Sequence, residues 1–255
     1  MLLWPAIALA APAANLSPYV AQRVAPGVHL LATPPDYLGA ITGNITVVEQ
    51  RDGVVIIDSG QTAADGRHAV AFVRPLTPKP VTALVYTHWH GDHPQGGSAI
   101  RNAWPKVRII ATAATMASLR SQTLKYTGLA PNPTFDEQAR KNIVDLLGRV
   151  DEELKKPEHD AATRARYARL KVEAVARRVD WPGTHLALPT ETFAKEVLLD
   201  DPLRAVRVFF PGRANTDGDA MAWLPKQRIV ITGDVVVSPI PFGFYSLPGE
   251  WIAVL

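Results

Sequence analysis

The 255-residue chain has no cysteine. Disulfides and thiolate metal ligands are therefore both excluded, and any metal ion must be held by imidazole and carboxylate. Charge of one sign is also lacking. The 27 Lys and Arg face 24 Asp and Glu, and a formal net charge of +3 gives little drive toward a polyanionic partner. The Arg- and Lys-rich stretch at 161–179 lacks a regular interleaving of aromatics, which argues against nucleic acid. No window is long and apolar enough for a transmembrane helix, and no internal repeat is present. The apolar start "MLLWPAIALAAPAA" is too short to span a bilayer and has no Lys or Arg before it. It matches the hydrophobic half of a secretory signal, with Ala8-Leu9-Ala10 or Ala11-Pro12-Ala13 as the small-x-small cleavage site. Residues 1–20 are accordingly expected to be a signal remnant or a loose arm. A periplasmic or secreted location follows, with the cytoplasm as the alternative.

What is present is enough apolar residue for one core of ordinary size. From Val28 onward, strand-like and helix-like segments alternate. "VHLLA" and "ITVVEQ" are apolar and β-branched, and Asp52-Gly53 joins the latter to "VVIIDSG" in a hairpin. A helix is expected over Thr62–Val73, stopped by Pro75. "VTALVYT" and "VRIIAT" are further buried strands. "LRAVRVFFPG", "AMAWLP" and "RIVITGD" resume the pattern late in the chain. This order predicts an α/β layered fold.

Residues 113–185 break the alternation. Ile143, Leu147, Val150 and Leu154 recur at helical spacing, and Pro157 ends the run. A second helix is expected over Ala161–Val179. The pair makes a charged helical hairpin inserted in the frame, either a solvated decoration or a cap over a site. The rest, residues 21–255, forms one domain.

The densest chemistry lies in "VYTHWHGDHPQGG", where His88, His90, Asp92 and His93 fall within six residues just after an apolar strand. His88 and His90 are two apart and can project to one side. Asp92 and His93 follow in the turn and can face a nearby point. Crowding these groups together carries a desolvation cost that a divalent cation removes. Imidazole with carboxylate suits zinc, with iron or manganese as alternatives. Gly91 between them offers backbone freedom.

His88-x-His90-x-Asp92-His93 resembles the signature of the metallo-β-lactamase superfamily. The resemblance runs from about Val28 to Leu255 and implies a four-layer αββα sandwich. Asp58 in "VVIIDSG" is similar to the family's first-motif aspartate, which supports the metal site from behind. "VFFPGRANTDGDAMAWLPKQRIVITGD" resembles the third and fourth motifs. The resemblance assigns His88 and His90 to a first metal, Asp92 and His93 to a second, and Asp234 to the bridge between them. Two family ligands do not carry over. Asn215 in "GRANT" stands where the family has histidine, and is either a ligand or a brace for its loop. The family's final histidine would lie beyond Leu255, so a domain incomplete at its C-terminus, with weakened metal binding, is expected.

The resemblance implies a hydrolase with one or two zinc ions and a small-molecule substrate. Metal-activated water would attack an ester, lactone, thioester or amide, a β-lactam included, and Asp92 would orient or deprotonate that water. The "TGD" context of Asp234 resembles the glyoxalase II and lactonase branches more than the true lactamases. Two alternatives stand beside this: a non-catalytic binding protein on the same fold, and an iron-dependent oxidoreductase of the same superfamily. Neither substrate nor oligomeric state has a readable code.

Overall fold

The computed structural model describes residues 19–33, 42–122, 133–181, 183–238, 243 and 245–255. The signal-like segment and most of the "TPPDYLGA" loop lie outside them.

The first sheet has seven strands in sequential order: β1 (Val20–Ala25), β2 (Val28–Ala32), β3 (Ile45–Glu49), β4 (Val54–Ile57), β5 (Val81–Val85), β6 (Arg108–Thr112) and β7 (Glu191–Phe193). Hairpins join β1 to β4, so those pairs are antiparallel. From β4 to β7 the pairs are parallel, because helical connections return the chain to the same end. The expected Asp52-Gly53 hairpin is β3–β4. Gly53 is required there by space: a Cβ would sit 2.5 Å from the Thr82 methyl on the neighbouring strand.

The second sheet is antiparallel, in the order β11 (Ile229–Ile231), β10 (Met221–Leu224), β9 (Val206–Phe209) and β8 (Glu196–Leu199). The two sheets face each other. Val28, Val48, Val55, Ile57, Val85, Ile110 and Phe193 from the first meet Leu199, Val206, Val208, Ala222 and Leu224 from the second. Removing one such Val or Ile side chain from water contributes roughly 1.5–3 kcal/mol. The other face of the first sheet packs on α1 (Ala63–Leu76), α2 (Gly97–Ala103) and α3 (Ala113–Ser121) through Ala69, Val73, Ile100 and Leu119. Sheets, helices and core give the mixed α/β frame expected from the sequence.

Two local outcomes differ from expectation. Helix α1 runs through Pro75 to Leu76, since a proline in the last turn removes only a terminal bond. Its start is as expected: Thr62 caps Asp65 N–H and Asp65 reaches back to the Thr62 N–H. Strands β1, β7 and β8 had no sequence signal, because β1 is largely exposed and β7 and β8 are only three and four residues long.

The charged hairpin is α4 (Pro133–Lys155) against α5 (Ala161–Asp180). Val150 and Ala174 are buried. Lys171 pairs with Asp151 across the two helices at 2.7 Å, and Arg169 pairs with Glu173 at 2.9 Å. Part of the basic charge of this stretch is thus spent inside the hairpin.

Candidate metal centre

Every candidate group sits just past the C-terminal end of a strand, and these ends converge. Strand β4 delivers Asp58, β5 delivers Thr87 and His88, the loop after β9 carries Asn215, and a 3-10 turn after β11 (Gly233–Val235) carries Asp234. The turn from His88 to Gly97 is pinned from two neighbouring segments and by a bond of its own. Ser59 N and Ser59 Oγ both donate to His93 O at 2.7 Å, and Gly43 N donates to Asp92 O at 3.1 Å. His93 N donates to His90 O at 3.0 Å.

The backbone freedom expected at Gly91 is not used there. Around the cluster, positive φ is found instead at Asp58, at 60°, and at Gly233. A Cβ at Gly91 would lie 2.6 Å from Gln95 Nε2, so a larger residue there would displace the end of the Gln95 side chain. The turn at Asp58 aims its carboxylate under the cluster. Asp58 Oδ1 accepts from Thr87 N at 2.9 Å, and Oδ2 accepts from Thr87 Oγ1 and from His93 Nδ1, both at 2.8 Å. His93 therefore carries its proton on Nδ1 and turns Nε2 toward Asp92 and Asp234. Thr87 Oγ1, having donated its proton, accepts from His88 Nδ1 at 3.0 Å. That turns His88 Nε2 toward Asp234.

Thr87 is thus the joint between Asp58 and both imidazoles, and sequence reasoning did not single it out. Its only sequence signal is its place immediately before the first histidine. Gly233, at φ 52°, lets the Asp234 turn pass so close that a Cβ would sit 2.7 Å from Thr87 Cβ.

His88, His90 and His93 are buried, and so is Asn215. Among the described residues, His88 Nε2 is a buried nitrogen with no hydrogen-bond partner, and His93 Nε2 has only its contacts to Asp92 and Asp234. Burial is the largest influence on each ring. It pushes His88 well below the ordinary histidine value, helped by His93 and His90, so that ring is neutral. Burial lowers His90 as well. In His93 burial acts the same way, but Asp92, Asp58 and Asp234 outweigh it and hold the ring well above its ordinary value. Burial raises Asp92, yet the charge and hydrogen bond of His93 win and hold its carboxyl below the usual range.

Ligand atoms of His88, His90 and Asp234 all lie within 4.8 Å of one another. His88 Nε2 is 3.7 Å from Asp234 Oδ2. On the other side, His93 Nε2 is 3.3 Å from Asp234 Oδ1 and 3.4 Å from Asp92 Oδ2. These contacts are longer than a charge-assisted hydrogen bond, about 2.7–2.9 Å. The two His93 separations fall within, and the His88 separation just outside, the spacing of donors sharing one ion: atoms roughly 2.0–2.2 Å from a tetrahedral centre lie about 3.3–3.6 Å apart. On the first side, the neutral nitrogens of His88 and His90 converge on the Asp234 carboxylate, a donor set suited to a divalent cation.

Asn215 points into this cluster. Its amide Nδ2 lies 3.4 Å from Asp234 Oδ2 and 3.5 Å from His90 Nδ1. The "GRANT" loop is braced instead by Asp219, which accepts from Ala214 N, Thr216 N and Thr216 Oγ1 at 3.2, 2.7 and 3.0 Å. Beside the cluster, Trp89 stacks edge-on against His90 and Tyr245, with centroids 4.7 and 5.2 Å apart.

An α/β sandwich with a histidine–carboxylate cluster at its converging strand ends is a metallo-enzyme frame. The family model of the metallo-beta-lactamase superfamily matches residues 38–250, and the chain belongs to that superfamily. A curated relative, a linear primary-alkylsulfatase from Pseudomonas sp., is 24% identical over 228 residues. That match takes in 82% of this chain but only 38% of the relative, so the chain spans well under half the relative's length. Among solved structures, metallo-beta-lactamase IND-7 is similar at a TM-score of 0.60 and 15% identity, covering 94% of this chain and 83% of that one. A metallo-beta-lactamase from Pontibacter korlensis has a TM-score of 0.56 at 16% identity, covering 87% and 74%. A double mutant of the sec-alkyl sulfatase PisA1 has a TM-score of 0.52 at 18% identity, covering 85% of this chain and 31% of that one. At these identities the likeness establishes the fold alone. Family and donor set together suggest a metal-dependent hydrolase. No helix among the described residues is long and apolar enough to cross a membrane.

Proposed function

We propose that this protein is a zinc-dependent hydrolase of a small-molecule ester, lactone, thioester or amide. The observation that carries the proposal is the way Asp234 divides its carboxylate: Oδ2 faces His88 and Oδ1 faces His93, at the separations expected of co-ligands. His88, His90 and Asp234 would hold one ion, and Asp92, His93 and Asp234 would hold a second. A bound ion supplies a water acidic enough to ionise near neutral pH and a Lewis acid for the substrate oxygen.

The chain's own groups do the rest. Asp58 keeps the His93 proton on Nδ1, so that Nε2 remains a donor to metal. Thr87 does the same for His88. Asp92, kept ionised beside His93, orients the attacking water and accepts its proton. Trp89 and the exposed Tyr245 offer an aromatic wall for the non-reacting part of a substrate.

The alkylsulfatase relative supports including sulfate esters among the esters, and the lactamase-fold neighbours support keeping β-lactams. The test is metal content by mass spectrometry together with turnover of alkyl sulfates, carboxylic esters, lactones, thioesters and a chromogenic β-lactam. Bound metal with hydrolysis of one class supports the proposal. Bound metal with no hydrolysis of any class favours the non-catalytic binding protein.

A further inference from the structure

Asn215 is deeply buried, yet its side chain is badly satisfied. Among the described residues, its Oδ1 is buried without a hydrogen-bond partner. Its Nδ2 reaches two of their groups, His90 Nδ1 at 3.5 Å and Asp234 Oδ2 at 3.4 Å. Both distances exceed the range of a normal N–H···O or N–H···N bond, about 2.7–3.2 Å. An amide that existed to brace this turn would sit closer, and Asp219 already holds the turn through three bonds.

The same distances have a simple meaning if the inward end of the amide is a donor to metal. The separations from Asn215 to His90 and to Asp234, 3.5 and 3.4 Å, fall in the band of about 3.3–3.6 Å for donors sharing a tetrahedral ion. The His88–Asp234 separation of 3.7 Å is close to it. The two ends of an amide are alike in shape, so charge decides which one points inward. Without a cation, the N–H end faces the Asp234 carboxylate and the oxygen is stranded. With a cation among His88, His90 and Asp234, the oxygen belongs inward.

We infer that Asn215 is the fourth protein ligand of the His88–His90–Asp234 ion, through its amide oxygen. This rests on the metal-site reading above and adds to it a residue and a metal preference. Two imidazoles, a carboxylate and a neutral amide oxygen are a harder set than three imidazoles and a carboxylate. The first site should therefore hold zinc less tightly and discriminate less against manganese or ferrous iron than an imidazole-completed site.

The test compares the full chain with Asn215→Leu, which fills the volume without a donor, Asn215→Asp and Asn215→His. The readouts are metal per chain after dialysis, zinc and manganese affinity by competition, the visible spectrum of the cobalt-loaded protein, and thermal stability without metal. Asn215→Leu should lose one ion per chain or weaken it by at least about tenfold, the lower end of what losing even an outer partner costs. Its cobalt spectrum should change, and its metal-free stability should stay near the parent's. Asn215→Asp should bind at least as tightly as the parent, and Asn215→His should shift preference toward zinc. An Asn215→Leu protein that keeps both ions with parental affinity and spectrum overturns the inference and leaves the metal-site reading standing. Lower metal-free stability with unchanged metal binding assigns Asn215 to bracing and overturns it too. A parent that holds no ion removes both readings.

Discussion

Asp58→Asn tests whether the support beneath the cluster controls metal affinity. The carboxylate accepts three bonds, from Thr87 N, Thr87 Oγ1 and His93 Nδ1, at 2.8–2.9 Å. An amide has one acceptor end. If its oxygen stays on Thr87 N, its NH2 takes the Oδ2 position and faces two groups that were donating. His93 can then satisfy the NH2 only by accepting at Nδ1, which moves its proton to Nε2 and closes the metal-facing lone pair. Asparagine tolerates the left-handed backbone at φ 60°, so backbone strain does not confuse the result. Loss of such a partner costs about 10–100-fold in metal affinity. That is about 1.4–2.7 kcal/mol. The stabilisation conferred by a fixed excess of zinc should shrink by the same amount. Chelator competition and zinc-dependent melting measure the two independently, and turnover at saturating zinc should fall less than affinity does. Parental zinc affinity in Asp58→Asn would refute the argument that Asp58 sets the His93 tautomer.

Asp92→Ala should abolish turnover while the circular dichroism spectrum stays native, and parental activity would sink its assignment to the reacting water. Zinc uptake should release protons and tighten as pH rises. The metal-free protein keeps His93 protonated because Asp92, Asp58 and Asp234 outweigh burial, and the ion needs the neutral ring; calorimetry in buffers of different ionisation heat reads this directly. Burial pushes the Asp219 carboxyl up to about 6 from an ordinary 3.8. In the metal-free protein the stability gained from that protonation is therefore fully present below about 4 and lost as pH rises to about 6, some 3 kcal/mol at most. Asp219→Asn should flatten that part of the stability–pH curve, and an unchanged slope would count against it. Deleting the α4–α5 hairpin should change KM or substrate range while the sheets still fold; untouched kinetics would make the hairpin a surface decoration.

Much of the candidate site was legible because connectivity alone keeps its parts together. His88, His90, Asp92 and His93 fall in one turn whatever the rest of the chain does, and an apolar strand before them marks where that turn begins. The absence of cysteine narrowed the donors to imidazole and carboxylate. The β3–β4 hairpin, the start of α1 and the two helices of the insertion were likewise written in local pattern, since turn residues and helical periodicity act over a few residues. What local pattern could not supply was any relation between strand ends far apart in sequence. Asn215 and His90 are 125 residues apart, and only the packing of two sheets through Val85, Ile110, Val208 and Ala222 sets them 3.5 Å from each other. The ligand role inferred for Asn215 rests on Asp219 having taken the bracing bonds, which no local pattern reveals. The backbone freedom expected at Gly91 is not used there; positive φ occurs at Asp58, where the carboxylate at the end of β4 turns to reach Thr87 and His93 on the neighbouring connection. The sequence determined which donors exist and which of them share a turn. Tertiary structure decided which lone pairs meet, because that depends on distances between strand ends and on where each imidazole proton is held.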